Sequence, residues 1–240
     1  MTKPRPDSVV ARVEALDWNA LGAMLDGQGN ATTGPLLTAR ECRDLIALYD
    51  ADSRFRSRVV MARHGFGSGE YKYFADPLPS LVGTLRRVLY PRLAATANRW
   101  QARMGEAPYP SRLDDFLDRC HAAGQHKPTP LLLKYRAGDY NCLHQDLYGS
   151  LAFPLQVAFL LSRPGEDFTG GEFLLTEQRP RLQSRGEVVS LSQGEGVIFA
   201  VNRRPVMGRR GAYRVTMRHG VSRLRGGHRF TLGVIFHDAQ

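Results

Sequence analysis

Residues 131–149 read LLLKYRAGDYNCLHQDLYG. An apolar run, LLLKY, is followed by a turn signal, and a histidine and an aspartate, His144 and Asp146, then stand two apart. If this pair lies near a strand end, spacing two puts both side chains on one face, where they can share a cation. The reading needs two things from the rest of the chain. It needs more strands to build a wall around the pair, and it needs a third ligand.

The strands follow at once. LLLKYR, FPLQVAFLLS, GGEFLLTEQ, EVVSLSQ, GVIFAV, YRVTMRHGV and RFTLGVIFH are short apolar or alternating runs parted by Gly, Pro, Asn and Asp. Such a succession, with no helices between, predicts an antiparallel sandwich or barrel over 131–240. The first 130 residues read as mainly helical. DWNALGAMLDGQG has the apolar spacing of a short helix stopped by glycine. Thr38 and Glu41 have the spacing of a capping box. Residues 81–104 form a long helical pattern that Pro91 should kink or split, and SRLDDFLDRCHAAG is a further amphipathic helix with Ser111 as its cap. The expected class is α+β: a helical N-terminal layer, residues 1–130, packed on a β-barrel as one compact unit.

With 240 residues, 42% of them hydrophobic, the chain can bury one large core. No stretch approaches the roughly 18 apolar residues that span a membrane, and MTKPRPDSVVARVEAL carries no apolar leader, so no membrane or secretory role is expected. Three cysteines without CxxC spacing argue against a disulfide framework or a structural zinc site, and point to a reducing cytoplasm. The net charge of +10 favours polyanionic partners, nucleic acid above all. Nearly all of it is arginine, a skew that a GC-rich genome also produces. Between Glu195 and Asp238 there are nine arginines and no acid. That density favours an anion lying over part of the stretch.

The third ligand candidate is His219, in TMRHGVS. Two histidines and one carboxylate make the facial set of non-haem Fe(II) oxygenases, which leaves coordination positions open for substrate and O₂. Arg229 begins the last strand run, ten residues on. Pointing inward, it would need an anion, and a carboxylate meets a guanidinium in two-point contact. A dicarboxylic co-substrate would supply that anion, and a structural salt bridge to a buried acid is the alternative. Tyr135 can add a hydroxyl, and Thr231 falls on the same strand face as Arg229.

These residues, in this order, resemble the 2-oxoglutarate and Fe(II)-dependent dioxygenases with a double-stranded β-helix (jelly-roll, cupin-like) core, and the AlkB-type nucleobase demethylases among them. LLKYRAGDYNCLHQDLYG, FPLQVAFLLS, DFTGGEFLLTEQRPR, HGVSRLRGGHRFTLGVIFHDA and GFGSGEYKYF resemble more closely a bacterial family assigned to oxidative demethylation of damaged DNA. The resemblance implies that His144, Asp146 and His219 hold iron and form the catalytic centre. It implies that Arg229, with Tyr135 and Thr231, holds 2-oxoglutarate, and that O₂ is consumed. Three positions depart from the AlkB pattern: Leu133 replaces an asparagine, Ile235 a second arginine, and Tyr148 an acid. The co-substrate machinery therefore transfers, and the base-reading machinery does not.

A nucleic-acid substrate would be single-stranded or a flipped base. GFGSGEYKYF, within 62–76, reads as a lid with glycines for freedom and Phe66, Tyr71, Tyr73 and Phe74 as stacking faces, or as a hairpin whose aromatics fill the core. Tyr148 could stack on a target base or wall the pocket. Cys142 reads as a small barrel residue, and the remaining histidines as surface or core. The expected activity is oxidative demethylation of alkylated bases in DNA or RNA. A hydroxylase of a protein side chain or small molecule remains the alternative, and no obligate protein partner is inferred.

Overall fold

The computed structural model describes residues 8–209 and 211–240. Residues 1–7, at the head of the expected helical layer, and Arg210, in the acid-free arginine stretch, lie outside the described residues. The helices are α1 (Val9–Glu14), α2 (Trp18–Gln28), α3 (Ala39–Ala47), α4 (Ser80–Met104) and α5 (Leu113–Ala122). The strands are β1 (Asn30–Pro35), β2 (Phe55–Val60), β3 (Gly67–Ser68), β4 (Glu70–Phe74), β5 (Leu131–Arg136), β6 (Tyr140–His144) and β7 (Leu155–Leu160). They continue as β8 (Phe168–Gly170), β9 (Phe173–Gln178), β10 (Arg185–Val189), β11 (Glu195–Ala200), β12 (Arg203–Gly208), β13 (Gly211–Val221) and β14 (Leu224–Val234).

The strands form two antiparallel sheets. The main one runs β1-β11-β7-β14-β5-β4-β2, with β8 paired to β14, and the smaller one runs β10-β9-β13-β6-β3, with β12 paired to β13. Together they make the double-stranded β-helix expected of the sequence. Alternation along the main sheet explains its continuous apolar runs. In β7, Val157 and Phe159 join the same core cluster as Leu85, Leu89, Leu93 and Trp100 of α4, while Gln156 and Ala158 line the barrel interior. In β14, Leu232 and Val234 face the helices, and Arg229, Thr231 and Gly233 face inward. A sheet buried on both sides needs apolar residues at nearly every position of its central strands.

The N-terminal stretch is less helical than its local patterns suggest. Four strands lie in it, and β4 pairs with β5 while β1 pairs with β11, so it extends the main sheet at both edges. ATTG and GSGEYKY carry weak strand signals of their own, and pairing with neighbours made elsewhere in the chain gives them their conformation. α4 runs through Pro91 as one helix. Pro91 is exposed, so the carbonyl it leaves unpaired can turn to water, while Leu89, Tyr90 and Leu93 hold the helix from the buried side. The Thr38–Glu41 capping box forms with both of its bonds. Ser111 is not the cap of α5: Arg112 occupies that position, with no side-chain hydrogen bond. Among the described residues no helix is long and apolar enough to cross a membrane.

Candidate active site

β6 and β13 lie side by side with His144 directly opposite His219, so the ladder brings together two imidazoles 75 residues apart in sequence. Asp146 follows just past the end of β6. The Gln145 side chain anchors that turn by donating to Asn202 Oδ1 and to the Met217 carbonyl, both at 2.8 Å. The ligand atoms of His144, Asp146 and His219 all lie within 4.8 Å of one another. His144 Nε2 is 3.4 Å from one Asp146 oxygen, and His219 Nε2 is 3.3 Å from the other. His144 Nδ1 lies 2.8 Å from the Cys142 carbonyl, which calls for a proton there and makes Nε2 the atom turned toward Asp146 and the cluster.

The electrostatics of the cluster follow from burial. Burial alone would raise the Asp146 carboxyl, but the charge of His219 and the hydrogen bonds of both imidazoles hold it well below the usual range. His144 is also pushed down by burial, yet its bond to Asp146 and that residue's charge outweigh this and raise it. His219, wholly inside, is lowered by burial and by repulsion from His144. Burial and the Asp146 charge keep the Tyr148 hydroxyl protonated, well above its ordinary value.

The opposite wall of the barrel comes from the main sheet. Arg229 stands directly across the ladder from Tyr135, and both are buried. One guanidinium nitrogen donates to Thr231 Oγ1 at 2.7 Å, while Nε finds no partner. Among the described residues no carboxylate lies within ion-pair distance of it, so the salt-bridge alternative falls away. Burial pulls Arg229 below its usual pKa, and Tyr135 and Glu172 offset this only in part. The Tyr135 hydroxyl is buried, with the Asn141 amide 3.4 Å away.

A cavity of about 310 Å³ separates the two walls. His144, Asp146, His219, Arg229, Tyr135, Thr231, Tyr148, Tyr71 and Phe66 all line it. Tyr73 does not. It is buried behind the wall, with its ring edge-on to Tyr71 at 5.4 Å and to Tyr148 at 6.0 Å. Phe74 belongs to the main core. GFGSGEYKYF is thus a hairpin of mixed use: its tail fills the core, Tyr71 lines the cavity, and Phe66 is 48% exposed at the rim. Its glycines serve close approach more than freedom. Gly67 has φ 130°, and a Cβ there would collide with the Tyr140 carbonyl. A Cβ on Gly69 would lie 2.9 Å from the Tyr135 ring. Cys142 is exposed at the cavity rather than packed in the barrel.

Sequence reasoning missed Gln156. Its amide donates to Asp146 Oδ2 at 2.7 Å, and the signal for it was a lone polar residue inside the apolar run FPLQVAFLLS. The arginine stretch also proves less bare than its sequence. Arg204 pairs with Glu177 and Arg214 with Glu106, acids that lie far off in the chain. Arg203, Arg209, Arg218, Arg223 and Arg225 remain exposed.

Residues 69–239 match the family model named Oxygenase-NA, described as "Oxygenase, catalysing oxidative methylation of damaged DNA". An uncharacterized protein of Mycobacterium tuberculosis is 53% identical over 167 residues, which cover 69% of this chain and 72% of that protein. A prolyl hydroxylase of Trichoplax adhaerens, solved with a hypoxia inducible factor peptide fragment, superposes with a TM-score of 0.57 at 13% identity, covering 95% of this chain and 91% of that one. An oxidoreductase of the 2OG-Fe(II) oxygenase family from Burkholderia pseudomallei gives 0.54 at 15% identity, covering 92% of each chain. At such identities the two structures speak for the fold.

Proposed function

The chain belongs to the Oxygenase-NA family, and from that premise we propose that it is an Fe(II) and 2-oxoglutarate-dependent dioxygenase that oxidatively demethylates alkylated nucleobases in DNA or RNA. One observation carries the reading. A two-histidine, one-carboxylate cluster and a buried guanidinium with no acidic partner among the described residues line the same cavity from opposite sheets.

The residues fit the group. Two neutral nitrogens and one carboxylate oxygen suit Fe(II) and leave a face open. His144, Asp146 and His219 would hold the metal. With 2-oxoglutarate and O₂, bound iron supplies the power to oxidise an unactivated C–H bond. Arg229 would grip the distal carboxylate of the co-substrate in a two-point contact, with Thr231 fixing the guanidinium and Tyr135 offering a hydroxyl. Leu131, Leu133, Ala158 and Ile235 exclude water around the reacting carbon.

Tyr71, Tyr148 and Phe66 present aromatic surface to the substrate end. Base stacking on such a ring contributes roughly 1–3 kcal/mol and is indifferent to sequence. This matches a wall in which Leu133 and Ile235 stand where AlkB-type enzymes place polar groups: it would hold a base by its faces and not read its edges. The exposed arginines of β12, β13 and β14 support a polyanionic partner, and Arg223 lies 5.6 Å over the Tyr140 ring. The same apolar wall supports a second reading, hydroxylation of a protein side chain or small molecule.

The test is turnover. Purified protein with Fe(II) and 2-oxoglutarate is offered methylated oligonucleotides, peptides and free nucleosides, with succinate and formaldehyde both measured. Formaldehyde from the oligonucleotide alone is the expected result. Succinate stimulated by peptides or metabolites and not by nucleic acid would replace the first reading with the second.

A further inference from the structure

A carboxylate rotates freely about its last bond unless something holds its plane. Asp146 is only 7% exposed, and each of its oxygens accepts one hydrogen bond from outside the ligand cluster. The Tyr148 hydroxyl donates to Oδ1 at 2.7 Å, and the Gln156 amide nitrogen donates to Oδ2 at 2.7 Å. The two donors reach Asp146 from different elements, Tyr148 from the turn after β6 and Gln156 from β7 of the other sheet.

Packing accounts for the Tyr148 ring but not for its hydroxyl, and not for Gln156. On the inward face of β7, Ala158 and Leu160 follow Gln156, and burial there favours apolar side chains. The orientation of the amide is dictated by its neighbour: turned over, it would set its oxygen against a carboxylate oxygen. The outcome leaves Gln156 Oε1 buried without a partner. An orphan acceptor of this kind costs about 1–3 kcal/mol, which a residue selected for stability alone would avoid. Tyr148 cannot swing aside easily either. Its ring is set edge-on to Tyr73 at 88°, and the His237 ring lies 5.8 Å away.

We propose that Tyr148 and Gln156 are positioning residues that orient the Asp146 carboxylate to receive a divalent cation between His144 and His219. The proposal rests on the metal reading of the site given above. It also gives a role to the tyrosine that replaces an acid at this position: it is a neutral donor to the ligand, where an acid would repel it.

A purely structural role predicts a different outcome. If the two donors only compensate a buried charge, an added cation takes over that task, and removing either donor leaves metal affinity unchanged or improved. If they orient the ligand, affinity falls. The experiment is anaerobic titration of the full chain with Co(II), read by its visible absorption bands, for wild type, Tyr148→Phe, Gln156→Leu and Asp146→Ala. Tyr148→Phe keeps the ring and its packing, so the circular dichroism of the metal-free protein should match wild type, while melting falls modestly with the loss of one bond to a buried carboxylate. The expected result is 10–100-fold weaker Co(II) binding in each of the first two variants, with altered bands, as outer partners of metal ligands typically give. Wild-type affinity and bands in both would overturn the proposal. A wild type that binds Co(II) no better than Asp146→Ala would instead overturn the metal reading itself.

Discussion

The two faces of the main sheet treat a buried arginine in opposite ways. On the helix-facing side, Arg86 of α4 donates to the carbonyls of Ile235 and Phe236 and pairs with Asp238 at 2.7 Å. On the cavity side, Arg229 has one hydroxyl partner and an idle Nε, and His219 Nδ1 and Gln156 Oε1 are idle nearby. Buried polar groups in folded proteins are nearly always satisfied. Single unmet atoms also occur away from the cavity, at Asn30, Tyr49, Arg204 and His237, but the cavity gathers three on side chains that line one space, and that clustering suits something that binds there. Arg86 meets an acid and two carbonyls where Arg229 meets one hydroxyl, and that difference separates support from site.

The comparison can be broken most sharply at the ligand cluster. His144→Ala or Asp146→Ala should reduce succinate formation to background with the far-ultraviolet dichroism unchanged; residual turnover would remove the cluster from the chemistry. The next largest effect separates the arginines. Arg86→Ala leaves the buried Asp238 carboxylate with the half-exposed His121 ring, 3.0 Å away, as its remaining partner and strips two backbone carbonyls of their donor, and should cost about 3–5 kcal/mol in denaturant unfolding. Arg229→Met should leave stability unchanged or improved, while raising the 2-oxoglutarate concentration needed for half-maximal succinate formation at least tenfold. Equal destabilisation by both would erase the distinction between the two arginines.

Smaller effects sharpen it. Tyr71→Ala should weaken binding of a methylated oligonucleotide by roughly 1–3 kcal/mol, about 5–150-fold, in fluorescence anisotropy. It should leave the 2-oxoglutarate requirement alone. The mildest is a pH effect at the junction of the two faces. Burial pushes His237 down to about 4, and its Nδ1 accepts from the Phe153 amide at 3.2 Å, which requires the neutral ring. The unfolded chain takes up this proton near pH 6.5 and the folded one only near 4. Between those values the unfolded state binds more protons, so stability is full above about pH 6.5 and falls as the pH drops toward 4. His237→Gln should flatten that part of the stability–pH curve.

Much of this was legible in the chain itself, and the pattern of misses is instructive. The central strands of the main sheet announced themselves because both faces are buried, which makes β7 and β11 nearly unbroken apolar runs, and β9 showed by its alternation. The ligand pair stood out because period two is a local property. β1 went unread and β4 showed only as an alternative hairpin reading, since their strand character comes from pairing with β11 and β5. Tyr73 looked like a stacking residue, yet it lies behind Tyr71. A glycine-rich hairpin does not reveal from its sequence which aromatic turns to the cavity.

The sequence by itself determined the fold class, the identity of the three ligand candidates and the arginine ten residues beyond the last of them, because strand periodicity and residue chemistry are written in short segments. Only the tertiary structure decided that no acid among the described residues reaches Arg229, that Glu177 and Glu106 come from afar to meet Arg204 and Arg214, and that Gln156 bonds to Asp146. Those are matters of which distant segments meet. Their physical basis is burial across strand ladders, and no local pattern in the chain encodes it.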